Sequence, residues 1–266
     1  MTNPTIQIYA TDHHTRKDGH WDIPFFRLGN QQSNFPIQTI GKTWQELSVI
    51  GSEYTGVYWL GENYEYIGNP DYIGHCHYRR FFCKPLKNLD NVPIIQPTWD
   101  KYPEWKTAIF GQTDQLMLML SKSYDALLPM SLTFQNNIVD TLLYFNKLYS
   151  WKIPELIIHH SFARLIDNMP DDMKGAAIQS FNENTFYHCN IFTCKKEIFL
   201  LYHSILKKTV EEIMEQFSKI PEKDLEGCQP RWLGYIVERM TSVFFTSMIK
   251  ARGLKVKCLP LITALT

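Results

Sequence analysis

Several features are missing from this 266-residue chain, and each absence closes a line of interpretation. Net charge is missing: 27 Lys and Arg balance 27 Asp and Glu, with a pI near 7.1. Bulk charge therefore gives no reason to expect nucleic acid or an anionic membrane as partner. Paired cysteines are missing too. Cys76, Cys83, Cys189, Cys194, Cys228 and Cys258 contain no C-x-x-C pair, and a reduced, cytosolic setting is the simpler expectation. No apolar run is long enough to span a bilayer. The first residues, Met1-Thr-Asn-Pro-Thr5, have neither the basic nor the apolar region of a signal peptide. A glycine-rich phosphate cradle is also absent, which disfavours a phosphotransferase or nucleotidase built on the histidines. There is no internal repeat and no low-complexity tract.

What is present is a chain whose length suits one large domain or two small ones, enough for a sizeable core. Aromatics make up 14% of it, enough to serve a core and also to stack on sugars or bases. Strand and helix signals alternate. Thr5-Ile-Gln-Ile-Tyr-Ala10 alternates as a first strand and runs into the polar cluster Asp12, His13 and His14. Ser52 to Tyr66 reads as a helix, with Ser52 as N-cap and Glu53 in its first turn. Val92 to Gln96 is a short extended segment. Two or three helices are expected between Thr113 and Asn168, broken at Pro129 and Pro154. Within them Leu116-Met-Leu-Met-Leu120 reads as core. Asp171-Asp172 falls in an expected loop and Glu211-Glu212 in an expected helix. Phe186 to Thr193 reads as a strand carrying one polar residue, Asn190. A long helix follows over about 195–219, then a linker over 220–230, with Pro230 at the first turn of a last helix. Leu254 to Leu259 reads as a last strand. The sum is an α/β class with a mainly parallel or mixed central sheet flanked by helices.

The stretch Asp71-Tyr-Ile-Gly-His-Cys-His-Tyr-Arg-Arg-Phe-Phe82 organises the rest. It begins as a strand and then sets two histidines, a tyrosine and two arginines in a row. If it stays extended, His75, His77 and Arg79 face one way and Cys76, Tyr78 and Arg80 the other. Burying such donors without partners is costly. The natural partner of adjacent arginines is an anion with several oxygens, a diphosphate or a carboxylate. A strand end carrying a solvated basic turn is the equal alternative. In the last helix, Leu233, Ile236, Val237, Met240, Val243 and Phe244 form one apolar stripe. Arg231, Tyr235, Glu238 and Ser242 share the opposite face. Amphipathicity alone favours an ordinary solvated face for these four. Asp12 and His13 lie beyond a strand end, where open α/β sheets bind ligands, and an ordinary surface loop is the equal alternative.

Together, Ser52-Glu-Tyr-Thr-Gly-Val-Tyr-Trp59, the 71–82 stretch, Tyr187-His-Cys-Asn-Ile-Phe192 and Arg231-Trp-Leu-Gly-Tyr-Ile-Val-Glu-Arg239 resemble a bacterial family of capsular, exopolysaccharide and lipopolysaccharide gene clusters. That family was long described as a domain of unknown function and looks like a glycosyltransferase family. Its pattern runs S-E-L-T-x-x-Y-W, D-Y-I-G-x-x-H-Y-R-R-Y-F, N-M-F and R-x-x-G-F-x-x-E-R. Two departures stand out: Tyr54 replaces the first-block leucine, and Ile191 the methionine after the asparagine. The resemblance implies a single GT-A-like, Rossmann-related domain over 1–266. Its nucleotide-binding part would be roughly 1–100 and its helical, acceptor-side part roughly 101–266.

The resemblance further implies transfer of a sugar from a nucleotide-sugar donor to a growing surface glycan, free or lipid-linked. Localisation would be cytoplasmic, with peripheral association at the inner membrane face if the acceptor is lipid-linked. Such transferases normally hold a divalent metal through a D-x-D motif at a strand end. No D-x-D follows a strand here, and His77-Tyr-Arg-Arg80 takes that place. Arg79 and Arg80 are thus the expected counter-charge for the departing diphosphate, with no cofactor required. A divalent metal on His75 and His77 is the less favoured arrangement, since two histidines make a thin site. Glu238 is the expected base for the acceptor hydroxyl, with Glu53 in reserve. Asp12 and His13 would contact the nucleotide and Asn190 a sugar. His75, His77, Tyr78 and Arg231 complete the expected binding set. The competing class is a non-catalytic carbohydrate-binding or assembly component of a surface-polysaccharide system.

Overall fold

The computed structural model describes residues 5–11, 26–29, 34–37, 39, 41–44, 50–77, 80–83, 94–95 and 123–263. Asp12, His13, His14, Tyr78, Arg79 and the Leu116–Leu120 segment lie outside the described residues.

The sheet is built around one strand, β3 (Tyr72–His77). Strand β1 (Ile6–Thr11) runs parallel along its whole length, from Ile6 opposite Tyr72 to Thr11 opposite His77. On its other side β9 (Phe192–Lys195) runs antiparallel, from Lys195 opposite Tyr72 to Phe192 opposite His75. Beyond β1 lies β2 (Phe26–Leu28), parallel. Beyond β9 lie β6 (Ala126–Pro129), antiparallel, and β10 (Val256–Leu259), parallel to β6. The carboxyl end of β3 continues the sheet through β4 (Arg80–Phe82), β11 (Leu261–Thr263) and β5 (Ile94–Ile95). A separate ribbon pairs β7 (Leu132–Thr133) with β8 (Thr185–Phe186). The α/β class with a mixed sheet holds. A β3 flanked on both sides explains why Ile73, His75 and His77 are all buried.

Six α-helices occur among the described residues: α1 (Tyr54–Glu62), α2 (Ile138–Leu148), α3 (Glu155–Asn168), α4 (Asp171–Phe181), α5 (Lys196–Phe217) and α6 (Trp232–Arg252); α1 and α5 pack on the sheet, and α2 to α4 pack on other helices. Helix α6 is the central pillar. Its stripe of Leu233, Ile236, Val237, Met240, Val243 and Phe244 is fully buried, as its period requires. Each such side chain contributes about 1.5–3 kcal/mol by leaving water. The helix stops at Gly253 in the left-handed region (φ 64°), with Lys250 and Arg252 in the last turn.

Several sequence expectations change here. The 71–82 stretch does not stay extended. β4 returns antiparallel to β3 with Arg80 opposite His77, and paired residues share a face. Arg80 therefore joins His77 instead of opposing it. Pro129 ends a strand rather than interrupting a helix. The 186–193 segment is two short strands, separated by left-handed residues at Cys189 (φ 71°) and Asn190 (φ 49°). Asp171 and Asp172 open α4, where the helix dipole suits them, rather than a loop. Pro230 lies ahead of the N-cap Arg231. Ser52 is not an N-cap: α1 starts at Tyr54, its N-cap position is Glu53, and no side chain caps it.

Helix α1 reaches the end of β1 only because Gly56 has no side chain. A Cβ there would stand 2.0 Å from Thr11 Oγ1. Gly56→Ala is expected to lower stability by about 1–3 kcal/mol, read as a lower urea midpoint at unchanged slope.

Candidate active site

Residues far apart in sequence close one cleft of about 230 Å³. It lies past the carboxyl ends of the parallel strands β1 and β3, where α/β sheets place ligands. Ser52, Glu53, His77, Arg80, Cys189, Asn190, Arg231, Gly234, Tyr235 and Glu238 line it. Six of the sequence-selected residues are thus together: Glu53, His77, Arg80, Asn190, Arg231 and Glu238.

Glu53 is the centre of this group, with a side chain only 12% exposed. His77 Nε2 donates to its carboxylate at 2.9 Å. Arg231 Nη2 lies 3.4 Å from the same oxygen and Arg80 Nη1 3.9 Å. The Ser52 hydroxyl donates to the other oxygen. Burial alone would push the Glu53 pKa up. The His77 hydrogen bond and charge, with the Ser52 hydroxyl, outweigh it and hold the acid well below the usual carboxylate range. Arg231 also donates to Ser52 Oγ, from Nε at 3.2 Å and from Nη2. Ser52 is held in the left-handed region (φ 49°), which aims its hydroxyl between Glu53 and Arg231. Helix α6 comes this close because Gly234 is bare: a Cβ there would stand 2.9 Å from Ser52 Cβ and 3.2 Å from Gly51 O.

Glu238 sits on the opposite wall, 18% exposed. Its Oε1 accepts the Cys189 N–H at 2.5 Å. Its Oε2 pairs with the buried guanidinium of Arg239, which lies over the Phe186 ring at 4.9 Å. The carboxylate is therefore oriented from two sides. Asn190 is tied down from behind. Its Oδ1 accepts from the Thr241 hydroxyl at 2.9 Å, leaving its amide N–H groups as the polar function it can offer. Burial pushes the neighbouring Cys189 thiol up to about 12.

His75 does not line the cleft; it is one layer beneath. Its Nδ1 lies 2.8 Å from Asn190 O and its Nε2 2.8 Å from Thr11 Oγ1. A carbonyl only accepts, so Nδ1 carries the proton and Nε2 takes the threonine hydroxyl. His75 thereby ties the end of β1 to the 189–190 turn. The face of α6 expected to be solvated is instead a wall. Tyr235 and Glu238 line the cleft, while Ser242 is buried and accepts the Tyr187 N–H at 2.9 Å. Sequence reasoning missed Ser52 as a polar bridge, Gly234, Cys189 and Arg239. Gly234 and Arg239 belong to the very R-x-x-G and E-R pattern that had singled out their neighbours. His188 was also missed. It is buried, its two ring nitrogens lack hydrogen-bond partners among the described residues, and burial pushes its pKa down to about 4. Among the described residues, no three His, Cys, Asp or Glu side chains gather as a metal site, and no helix is long and apolar enough to cross a membrane.

The fold matches that of a solved glycosyltransferase. The structure titled WbbM bifunctional glycosyltransferase, apo, superposes with a TM-score of 0.74 at 18% identity, over 98% of this chain and 46% of that one. This chain thus spans less than half the length of that protein. The family profile described as a domain of unknown function, DUF4422, matches residues 48–249. The chain belongs to that family. No curated protein matches it.

The depressed Glu53 pKa makes a signed prediction. Its contribution to stability is complete above the ordinary value of 4.5 and is lost as pH falls below it. Buried neutral His188 adds an earlier loss, from its ordinary 6.5 down to about 4. Glu53→Gln is expected to lower stability at neutral pH by about 1–3 kcal/mol. It should also flatten the acid limb below 4.5 while leaving the His188 limb in place, as measured by urea unfolding across the pH range.

Proposed function

We propose that this protein is a glycosyltransferase that moves a sugar from a nucleotide-sugar donor to a growing surface glycan, of capsule, exopolysaccharide or lipopolysaccharide type. One observation carries the reading. Two arginines and two carboxylates, drawn from the start of β4, the start of α1 and one face of α6, meet in a single cleft at the ligand-binding edge of a glycosyltransferase-like sheet.

In this reading Arg80 and Arg231 bind the donor diphosphate, with Arg79, which follows the same motif, assisting. Guanidinium groups suit phosphate oxygens because they offer forked, permanent donors. Glu53 lies beneath both and fixes their spacing through charge. The acceptor hydroxyl oxygen attacks the anomeric carbon. The bond from that carbon to the diphosphate oxygen breaks, and its electron pair leaves with the diphosphate, where the arginines stabilise it. The hydroxyl proton passes to Glu238. Glu53 is the poorer base, because an acid held so far below its usual range accepts a proton weakly at neutral pH. His77 orients Glu53, and Asn190 offers its amide to a sugar hydroxyl. Asp12 and His13, which follow β1 in the sequence, would contact the nucleotide. The reading uses the arginines as counter-charge and needs no metal. The acceptor is a glycan, free or lipid-linked, and the reaction belongs on the cytoplasmic side of the membrane.

The test is thermal stability against UDP-, GDP-, CMP- and dTDP-sugars, each with EDTA and with Mn²⁺. A ligand that binds only the native state raises the melting point. A rise with one nucleotide class that survives EDTA is expected. Arg80→Ala should abolish that rise and lower transfer about 10²–10³-fold. Glu238→Gln should keep the rise and lower turnover about 10²–10⁴-fold. A rise that needs Mn²⁺ overturns the arginine-only counter-charge. No rise with any donor overturns the transferase reading and favours a non-catalytic carbohydrate-binding role.

A further inference from the structure

Tyr235 is an aromatic residue that lines the cleft. It precedes Glu238 by three positions on α6, so the two share one face. Behind it stands a second ring, half-buried against the core. Trp151 lies parallel to Tyr235, with centroids 4.1 Å apart and planes within 9°. Tyr149 continues the series against Trp151 at 5.6 Å and 25°, and it is 59% exposed. Three rings thus lead from the wall of the cleft to solvent.

The segment that presents them is tightly built. Buried Asn146 brackets it: its Oδ1 accepts the Ile153 N–H at 2.9 Å and its Nδ2 donates to Ile153 O at 2.8 Å. Trp151 N–H donates to Asn146 O at 2.9 Å, and Trp151 O accepts from Gln229 N at 2.7 Å, just ahead of α6. Ser150 (φ 51°) and Lys152 (φ 54°), on either side of Trp151, are both left-handed non-glycine residues. Such positions persist only where their surroundings impose them, and they cluster at functional sites. A loop whose sole task was to close over α2 would not require an exposed ring series that ends inside a polar cleft.

We propose that this ladder is the acceptor subsite: a pyranose ring of the glycan acceptor packs its C–H face on Tyr235, with Trp151 as a positioning residue behind it and Tyr149 extending the track outward. The chemistry favours a sugar over a purely apolar partner. Sugar C–H groups carry partial positive charge and suit the negative face of an aromatic ring, while the sugar's hydroxyls meet the polar groups of Asn190 and Glu238. A hydroxyl of a sugar seated on Tyr235 lies beside Glu238. The inference rests on the transferase reading for its direction, and on the ring geometry for its existence.

Saturation-transfer NMR with a panel of methyl α- and β-pyranosides and their β-linked disaccharides tests it on the full chain. Wild type is expected to bind at least one of them. Tyr235→Phe should bind within about twofold of wild type, since a ring face and not the hydroxyl is used. Tyr235→Ala should weaken binding at least tenfold, Trp151→Ala several-fold, and Trp151→Phe should largely restore it. Tyr149→Ala, at an exposed site that leaves the fold intact, should weaken a disaccharide more than a monosaccharide. Sugar-nucleotide thermal shifts recorded on the same variants separate the two readings. Loss of glycoside binding with the nucleotide shift intact supports the subsite. Glycoside binding through Tyr235 with no nucleotide shift in any variant keeps the subsite and removes the transferase. Glycoside binding unchanged in Tyr235→Ala, or absent in wild type, overturns the subsite whatever the nucleotides do.

Discussion

A carboxylate that is almost removed from water cannot keep its charge alone, and Glu53 is such a carboxylate. Everything near the cleft follows from the need to surround it with donors. One arrives from the end of β3 as His77, another from the returning strand β4 as Arg80, and a third from the start of α6 as Arg231. Ser52 supplies the fourth. These donors come from elements with no local reason to meet, so the charge on Glu53 acts as a common anchor. Removing one partner would leave a buried charge short of donors, which is more damaging than never having buried it.

The anchor works only because backbones approach closely at two points. Gly56 lets α1 lie against the end of β1, and Gly234 lets α6 lie against residues 51–52. His75 then locks the same strand end to the 189–190 turn from below. The cleft therefore has a rigid floor, with its variable chemistry in the walls. On one wall Glu238 is held by a backbone N–H and by a guanidinium lying over an aromatic ring. That support orients the carboxylate without burying it completely.

Much of this was legible in the sequence, but unevenly. The α/β class, the long helix over 196–217 and the apolar stripe of α6 follow from hydrophobic period, a local property. The members of the cleft were legible as residue types without a visible reason to be buried: two arginines in a row, an asparagine among apolar residues, a glutamate on a helix face. What the sequence could not say is which way they face. A fully extended 71–82 stretch puts Arg80 on the wrong side, because the reversal between β3 and β4 is a tertiary decision, set by pairing with β11. Ser52 looks like a cap because serine before a helix usually is one; here a left-handed backbone turns its hydroxyl toward an arginine 179 residues away. The face of α6 read as solvated for the same reason, since periodicity shows a face but not what covers it.

That long separation has a consequence for how the protein is made. The Arg231 and Ser52 contact closes the cleft only after α6 has been added, and the sheet itself is completed later still, when β10 takes one edge and β11 pairs between β4 and β5. While the chain is being synthesised, Glu53 and the end of β3 exist for most of the process without their third cation. Contacts of this span form late, because closing so large a loop is entropically unfavourable until much of the core is in place. A nascent chain that has not yet reached residue 231 therefore carries half a cleft, unable to bind as the finished protein does. Its ligands can act on folding only at the final step, by favouring the docked position of α6.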